Sequence, residues 1–208
     1  MTIKNIVIYH DKCLDGTCAA WVASHYLPTD TKFFPVSYGK TVRDQIHFDG
    51  ESNLYILDWC PEMDDLDGLC YLFNQVILID HHESAIKKLQ AHYDLDHYRE
   101  IGLSTKPLKP DNLTLFLAHN NEWSGAMGTA IWFHNNSDQF KECDGDGLSE
   151  HWLVKAVNDR DRWQFKLGDT KAINKGLFHL GFNLAKWRSQ SFSDIFRVEL
   201  ITTGITNH

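Results

Sequence analysis

The first patterned segment, residues 3–9, carries Ile6, Val7 and Ile8 in succession, an unbroken apolar run that predicts a strand buried on both faces. It stops at His10. After a polar turn at residues 11–16, the stretch Thr17-Cys18-Ala19-Ala20-Trp21-Val22-Ala23 reads as a helix that Pro28 closes. The same order then returns. Residues 33–36 predict a strand, at a sheet edge if Pro35 lies in it, since proline donates no ladder hydrogen bond. Residues 53–57 predict a stronger strand, 63–73 a helix, 75–79 an apolar strand and 84–92 another helix. A proline-containing loop at 106–111 precedes a short strand at 113–118. Ser124-Gly125-Ala126 opens a helix running through Trp132, and 135–147 is a polar connector. Residues 148–157 form a helix that delivers Asn158-Asp159-Arg160-Asp161-Arg162-Trp163, with a further helix at 178–187 and a short strand at 198–202. Strands alternating with helices imply an α/β fold, a mostly parallel sheet with helices on both faces.

Composition narrows the function classes. A chain of 208 residues, 43% hydrophobic, supports one sizeable domain with a small appendage rather than two full domains. There is no basic, apolar leader and no apolar run near the roughly 20 residues that span a bilayer, so a soluble, cytoplasmic protein without a membrane partner is expected. The five cysteines (Cys13, Cys18, Cys60, Cys70, Cys143) lack C-x-x-C pairs and read as reduced thiols. A net charge of -8 argues against long duplex DNA, whose binding needs many Lys and Arg contacts. A small phosphorylated ligand stays open, because a metal site supplies positive charge that composition hides.

The polar residues are placed informatively. Three apolar strands end in His10, Asp58 and Asp80-His81-His82, and parallel sheets bind ligands beyond their strands' carboxyl ends. Carboxylates with one or two imidazoles suit a hard divalent cation such as Mn2+, whereas structural zinc leans on cysteine. Two such ions sharing one carboxylate hold a phosphate and activate water.

These residues resemble the DHH phosphoesterases, named for the tripeptide that stands here as Asp80-His81-His82. His10-Asp11-Lys12-Cys13-Leu14-Asp15-Gly16 is similar to the family's first motif, Leu57-Asp58 to the second, residues 79–82 to the third, and Asn158-Asp159-Arg160-Asp161 to the fourth. The resemblance covers roughly residues 3 to 165. It implies a DHH phosphoesterase-like catalytic α/β domain over 1–165, with 166–208 a short C-terminal extension packed on the same domain. It implies two Mn2+ ions, or Mg2+ in their place. Asp58 would bridge the metals, His10 would bind the first, and Asp15, His81 and Asp159 the second. His82 would contact the scissile phosphate and Arg160 assist with its charge. Asp80 would orient His81.

Two departures stand out. The family's first motif usually carries two aspartates, and Cys13 replaces the first of them, so Cys13 as thiolate or Asp11 ligates the first metal, or that site binds weakly. Many members also carry a separate substrate-binding domain for which the residues after Trp163 are too few. The site is then open, closed by local loops, or completed by a partner chain, as in a homodimer.

Other features carry blander readings. Asp161 reads as an ion-pair partner of the neighbouring arginines, Trp163 as core, and Ser124-Gly125-Ala126 as close packing ahead of phosphate binding. Cys143, His97 and the acidic turn 144–147 suggest no further metal site. The leading expectation is hydrolysis of a small nucleotide-type phosphoester: a short single-stranded oligonucleotide, a dinucleotide or a bisphosphorylated nucleoside. Pyrophosphate or polyphosphate hydrolysis and a non-catalytic nucleotide sensor are the alternatives.

Overall fold

The computed structural model describes residues 4–40, 42, 46, 50–95, 111–136 and 147–206. Cys143, His97, most of the loop at 106–111 and all but Gly147 of the acidic turn lie outside the described residues. In chain order the elements are β1 (Asn5–His10), α1 (Leu14–Tyr26), β2 (Lys32–Val36), β3 (Asn53–Leu57), α2 (Met63–Leu72), β4 (Gln75–Asp80), α3 (Glu83–Tyr93), β5 (Leu113–Leu117) and α4 (Gly125–Asn135). A 3-10 turn (Leu148–Glu150) leads to α5 (Trp152–Asp161), α6 (Thr170–Leu180), α7 (Leu184–Ser189) and α8 (Asp194–Thr206).

The five strands pair in parallel in the order β2-β1-β3-β4-β5. Pro35 lies in β2, opposite Tyr9, on the edge strand where a missing N–H does least harm. Both faces of the sheet are covered, which explains the unbroken apolar runs. Val7, Tyr9, Tyr55, Leu57, Ile77 and Ile79 face a cluster with α1, α4 and α5, and the alternate residues Ile6, Ile8, Leu54, Ile56, Val76 and Leu78 pack against α2 and α3. From β1 the chain goes out to β2 on one side and then to β3 on the other. The carboxyl ends of β1 and β3 therefore flank a topological switch point, where an open parallel sheet leaves a crevice.

The C-terminal elements depart from expectation in three ways. Gly181, at φ 84, ends α6 and separates it from α7, so residues 178–187 are not one helix. Trp187 packs fully buried behind that break and donates from Nε1 to the Gly181 carbonyl at 2.8 Å. Residues 198–202 lie inside α8, not in a strand. There a Cβ on Gly204 would strike the Ala172 carbonyl oxygen and one on Gly176 the Leu200 carbonyl oxygen, so glycine allows α6 and α8 to approach backbone to backbone. Ile173, Leu177, Leu184, Trp187 and Leu200 join the same buried cluster as Trp21 and Phe133. Trp163 is not core: it is 81% exposed, turned outward by a left-handed backbone at φ 52 just past α5. Among the described residues no helix is long and apolar enough to cross a membrane.

Candidate metal centre

Beyond the end of β3, Asp58 adopts a left-handed backbone at φ 55, its N–H donating to the Ile79 carbonyl at 2.9 Å. Such a conformation costs about 1–3 kcal/mol and recurs at functional sites. It aims the carboxylate across the carboxyl edge of the sheet. Asp58 is completely buried, and neither of its oxygens has a hydrogen-bond partner of good geometry among the described residues. Imidazoles approach without aligning: His10 Nδ1 lies 3.6 Å from Oδ2, His81 Nε2 3.2 Å and His82 Nδ1 3.9 Å from Oδ1. Burial pushes the Asp58 pKa up, but the His10 and His81 contacts and the charges of His81 and His82 outweigh it and hold the carboxyl well below its usual range. Leaving a buried carboxylate without aligned donors is costly unless a cation completes it.

Three overlapping donor groups surround this carboxylate, each with its ligand atoms within 4.8 Å of one another: His10, Cys13 and Asp58; Asp15, His81 and Asp161; and Asp58, Asp80, His81 and His82. Of the sequence-predicted metal positions, His10, Asp58 and His81 come to the donor groups from strand ends and Cys13 and Asp15 from the start of α1, whereas α5 contributes Asp161 in place of Asp159. Carboxylate oxygens, imidazole nitrogens and one thiol, with two orphaned oxygens on the shared residue, fit a divalent cation. Asp11 is not among these donors. Its carboxylate accepts from Ser37 Oγ at 3.1 Å and its N–H donates to the Val36 carbonyl.

The surrounding structure fixes these donor side chains. Asp80 Oδ1 accepts from the backbone N–H groups of His81 (2.7 Å) and His82 (3.1 Å) and from His82 Nδ1 at 2.6 Å. The ring that Asp80 orients is therefore that of His82, not of His81. Burial lowers the His82 pKa, but the Asp80 contact and charge outweigh it and the net direction is up. Asp15 meets the N-terminus of α4: its oxygens accept from Ser124 Oγ (2.7 Å), Gly125 N–H (2.5 Å) and Ala126 N–H (3.0 Å). The Ser124-Gly125-Ala126 turn thus binds an anion, and the anion is the chain's own. A Cβ on Gly125 would stand 2.6 Å from Asp58 Cβ and 2.9 Å from Asp15 Oδ2, so this glycine lets α4 reach the centre. Gly16 is pressed as closely against His10, 2.5 Å from its carbonyl oxygen.

The fourth motif is rearranged relative to expectation. Asp159 points away from the centre, accepting from the Lys166 N–H (2.9 Å), the Leu167 N–H (3.0 Å) and the Thr170 hydroxyl. It fastens the loop after α5 to the start of α6. Asp161 instead places Oδ2 3.4 Å from His81 Nε2, beside Asp58 and Asp15 at 3.2 and 3.5 Å. Two positions apart on a helix is about 200° of rotation, so the two carboxylates cannot share a face. Arg160 places its guanidinium 5.0 Å from the centroid of the Phe178 ring, and its charge opposes the upward push of burial on the pKa of the neighbouring Asp161 carboxylate. Sequence reasoning also missed Tyr38, whose ring sits 5.1 Å from that of His10 and 6.3 Å from that of Trp59. No local signal marks Tyr38, because only the β1–β2 pairing brings it there.

Among solved structures, the chain is similar to an uncharacterized protein from Helicobacter pylori G27, with 13% identity and a TM-score of 0.58, over 98% of this chain and 63% of that one. The chain thus spans less than two thirds of that protein's length, and likeness at this identity concerns the fold alone. No family model matches the sequence. No curated protein matches it either.

Proposed function

We propose that this chain is a divalent-metal-dependent phosphoesterase of the DHH type, acting in the cytoplasm on a small nucleotide-type phosphoester. The observation that carries the reading is Asp58: a fully buried carboxylate with no aligned hydrogen bond, centred among donors from the ends of three adjacent parallel strands. One divalent ion would be held by His10, Cys13 and Asp58 and a second by Asp15, His81 and Asp161, with Asp58 shared; Mn2+ is the ion expected of such a centre and Mg2+ a substitute. When bound, such ions supply Lewis-acid charge to a phosphoryl group and acidify water near neutral pH.

The chain's own residues supply the rest. Asp80 fixes the His82 ring through Nδ1 and favours its protonated form, which leaves Nε2 to donate to a phosphoryl oxygen. The amides and hydroxyl opening α4 hold Asp15 in one orientation, so that ligand is set before substrate arrives. Tyr38, packed on His10, and Trp163, two residues beyond Asp161, offer apolar ring faces of the kind on which bases stack. That favours a short oligonucleotide, dinucleotide or bisphosphorylated nucleoside over pyrophosphate.

The test is Mn2+-dependent release of phosphate or nucleotide from a panel of these substrates and pyrophosphate, with Asp58→Ala as control. Turnover that vanishes in the variant supports the reading and names the substrate class. Two bound ions with no turnover on any substrate would replace it with a nucleotide sensor.

A further inference from the structure

The two halves of the centre are built from different donors. Asp15, His81 and Asp161 offer one imidazole and two carboxylates, whereas His10, Cys13 and Asp58 offer one imidazole, one thiol and one carboxylate. Cys13 is the N-cap residue of α1, but it makes no side-chain cap hydrogen bond of good geometry; the Asp15 and Gly16 amides lie near enough only to offset in part the upward push of burial on its thiol, at a position where Ser, Thr, Asp or Asn would accept from a helix amide outright. It is half-buried, and it shares a donor group with His10 and Asp58, whose Nδ1 and Oδ2 lie 3.6 Å apart, both buried and without a hydrogen-bond partner among the described residues. Asp11, the nearby oxygen ligand, is turned away to Ser37.

We propose, resting on the reading of this site as a two-metal centre, that its halves select different ions. The His10–Cys13–Asp58 half takes a thiophilic, borderline ion such as Zn2+, Fe2+ or Co2+, with Cys13 bound as thiolate. The Asp15–His81–Asp161 half keeps the preference of oxygen-rich sites for Mn2+ or Mg2+. A thiolate is polarisable and binds strongly to borderline ions but contributes little to Mg2+, which demands oxygen ligands in a strict octahedron. As the metal–sulfur bond forms, the S–H proton leaves to solvent, so no oxidant or reductant is involved. Mg2+ alone then fills only one half, and the working protein carries a mixed pair of ions.

The experiment is a Co2+ titration of the chelator-stripped 208-residue chain, followed by absorption and by calorimetric stoichiometry, with Cys13→Ser, Cys13→Asp and Cys60→Ser variants. Cys60 is the control thiol, buried near Asp80 but outside the donor groups. The expected result is a near-ultraviolet thiolate-to-cobalt band that survives Cys60→Ser and is lost in both Cys13 variants. Cys13→Asp should still bind two ions and now accept Mn2+ at both. Co2+ binding with visible bands but no Cys13-dependent charge-transfer band would overturn the proposal while leaving the metal centre standing. Failure to bind Co2+ or Mn2+ at all would overturn both. Unchanged circular dichroism of the variants separates loss of the ligand from loss of the fold.

Discussion

Asp159 and Asp161 stand two positions apart in one motif and do unrelated work, and mutation should separate them. Asp159→Ala removes the acceptor for the Lys166 and Leu167 amides and the Thr170 hydroxyl, and should destabilise the chain by about 1.5–3 kcal/mol, the range for hydrogen bonds to a charged group. The urea midpoint should fall while calorimetry still counts the same number of Mn2+ ions. Asp161→Asn should do the reverse, because Asp161 faces only the His81 side of the centre: little change in the chelated protein's midpoint, and weaker Mn2+ binding. If Asp159→Ala abolished metal binding at unchanged stability, Asp159 would belong in the centre after all. Cys13 gives a second contrast at this scale. Serine there accepts from the first-turn amides more strongly than the weakly accepting cysteine sulfur, so metal-free Cys13→Ser should match or exceed the parent in stability, by up to about 1 kcal/mol.

Among the elements, α4 couples the sheet to the centre, since its first turn grips Asp15 and its first residue touches Asp58. Gly125→Ala places a methyl 2.6 Å from Asp58 Cβ, which cannot move without its backbone, and 2.8 Å from Asp58 Oδ1, so α4 or the Asp58 turn must shift. The expected cost is about 1–3 kcal/mol, read from urea melts, together with weakened Mn2+ binding; Gly168→Ala, which meets open space, is the control. An unaffected Gly125→Ala would mean that the turn is loose and Asp15 not preset. The same elements show what the sequence discloses and what it withholds. The strand ends at His10, Asp58 and Asp80 were readable because strands buried on both faces leave apolar runs that stop where the candidate donors begin, and the edge position of β2 was readable from Pro35. The phase of the Asn158–Asp161 segment was not readable, because four polar residues carry no apolar period to say which faces inward. Val198-Glu199-Leu200-Ile201-Thr202-Thr203 mixes β-branched residues in a way that suggests a strand. Its helical state depends on the close approach of α6 at Gly176 and Gly204, a contact that no local window contains.

Over the whole molecule, the carboxylate cluster links folding to protons, and on the proposed reading links both to a metal. In chelated protein His81 lies among Asp58, Asp161 and Asp15; burial lowers its pKa, but the Asp58 contact and the three carboxylate charges raise it to about 10. Asp15 and Asp161 are displaced upward as well, by burial first and by like charge from Asp58. All three shifts carry the same sign. A group whose folded pKa is raised stabilises the fold fully below its unfolded value, and loses that contribution as pH rises through the folded one. For His81 the window runs from about 6.5 to about 10, so the urea midpoint of the chelated protein should decline steadily as pH is raised from 7 to 9. A metal ligand must be deprotonated, so Mn2+ affinity should move the opposite way, by up to about tenfold per pH unit for each proton displaced. Calorimetry at pH 8 in two buffers of different ionisation enthalpy measures that proton release directly, and His81→Asn should reduce it by about one proton. A heat of binding independent of buffer, with an affinity flat from pH 7 to 9, would mean that the His81 imidazole is already neutral when the ion arrives. The charge balance derived from these distances would then be wrong.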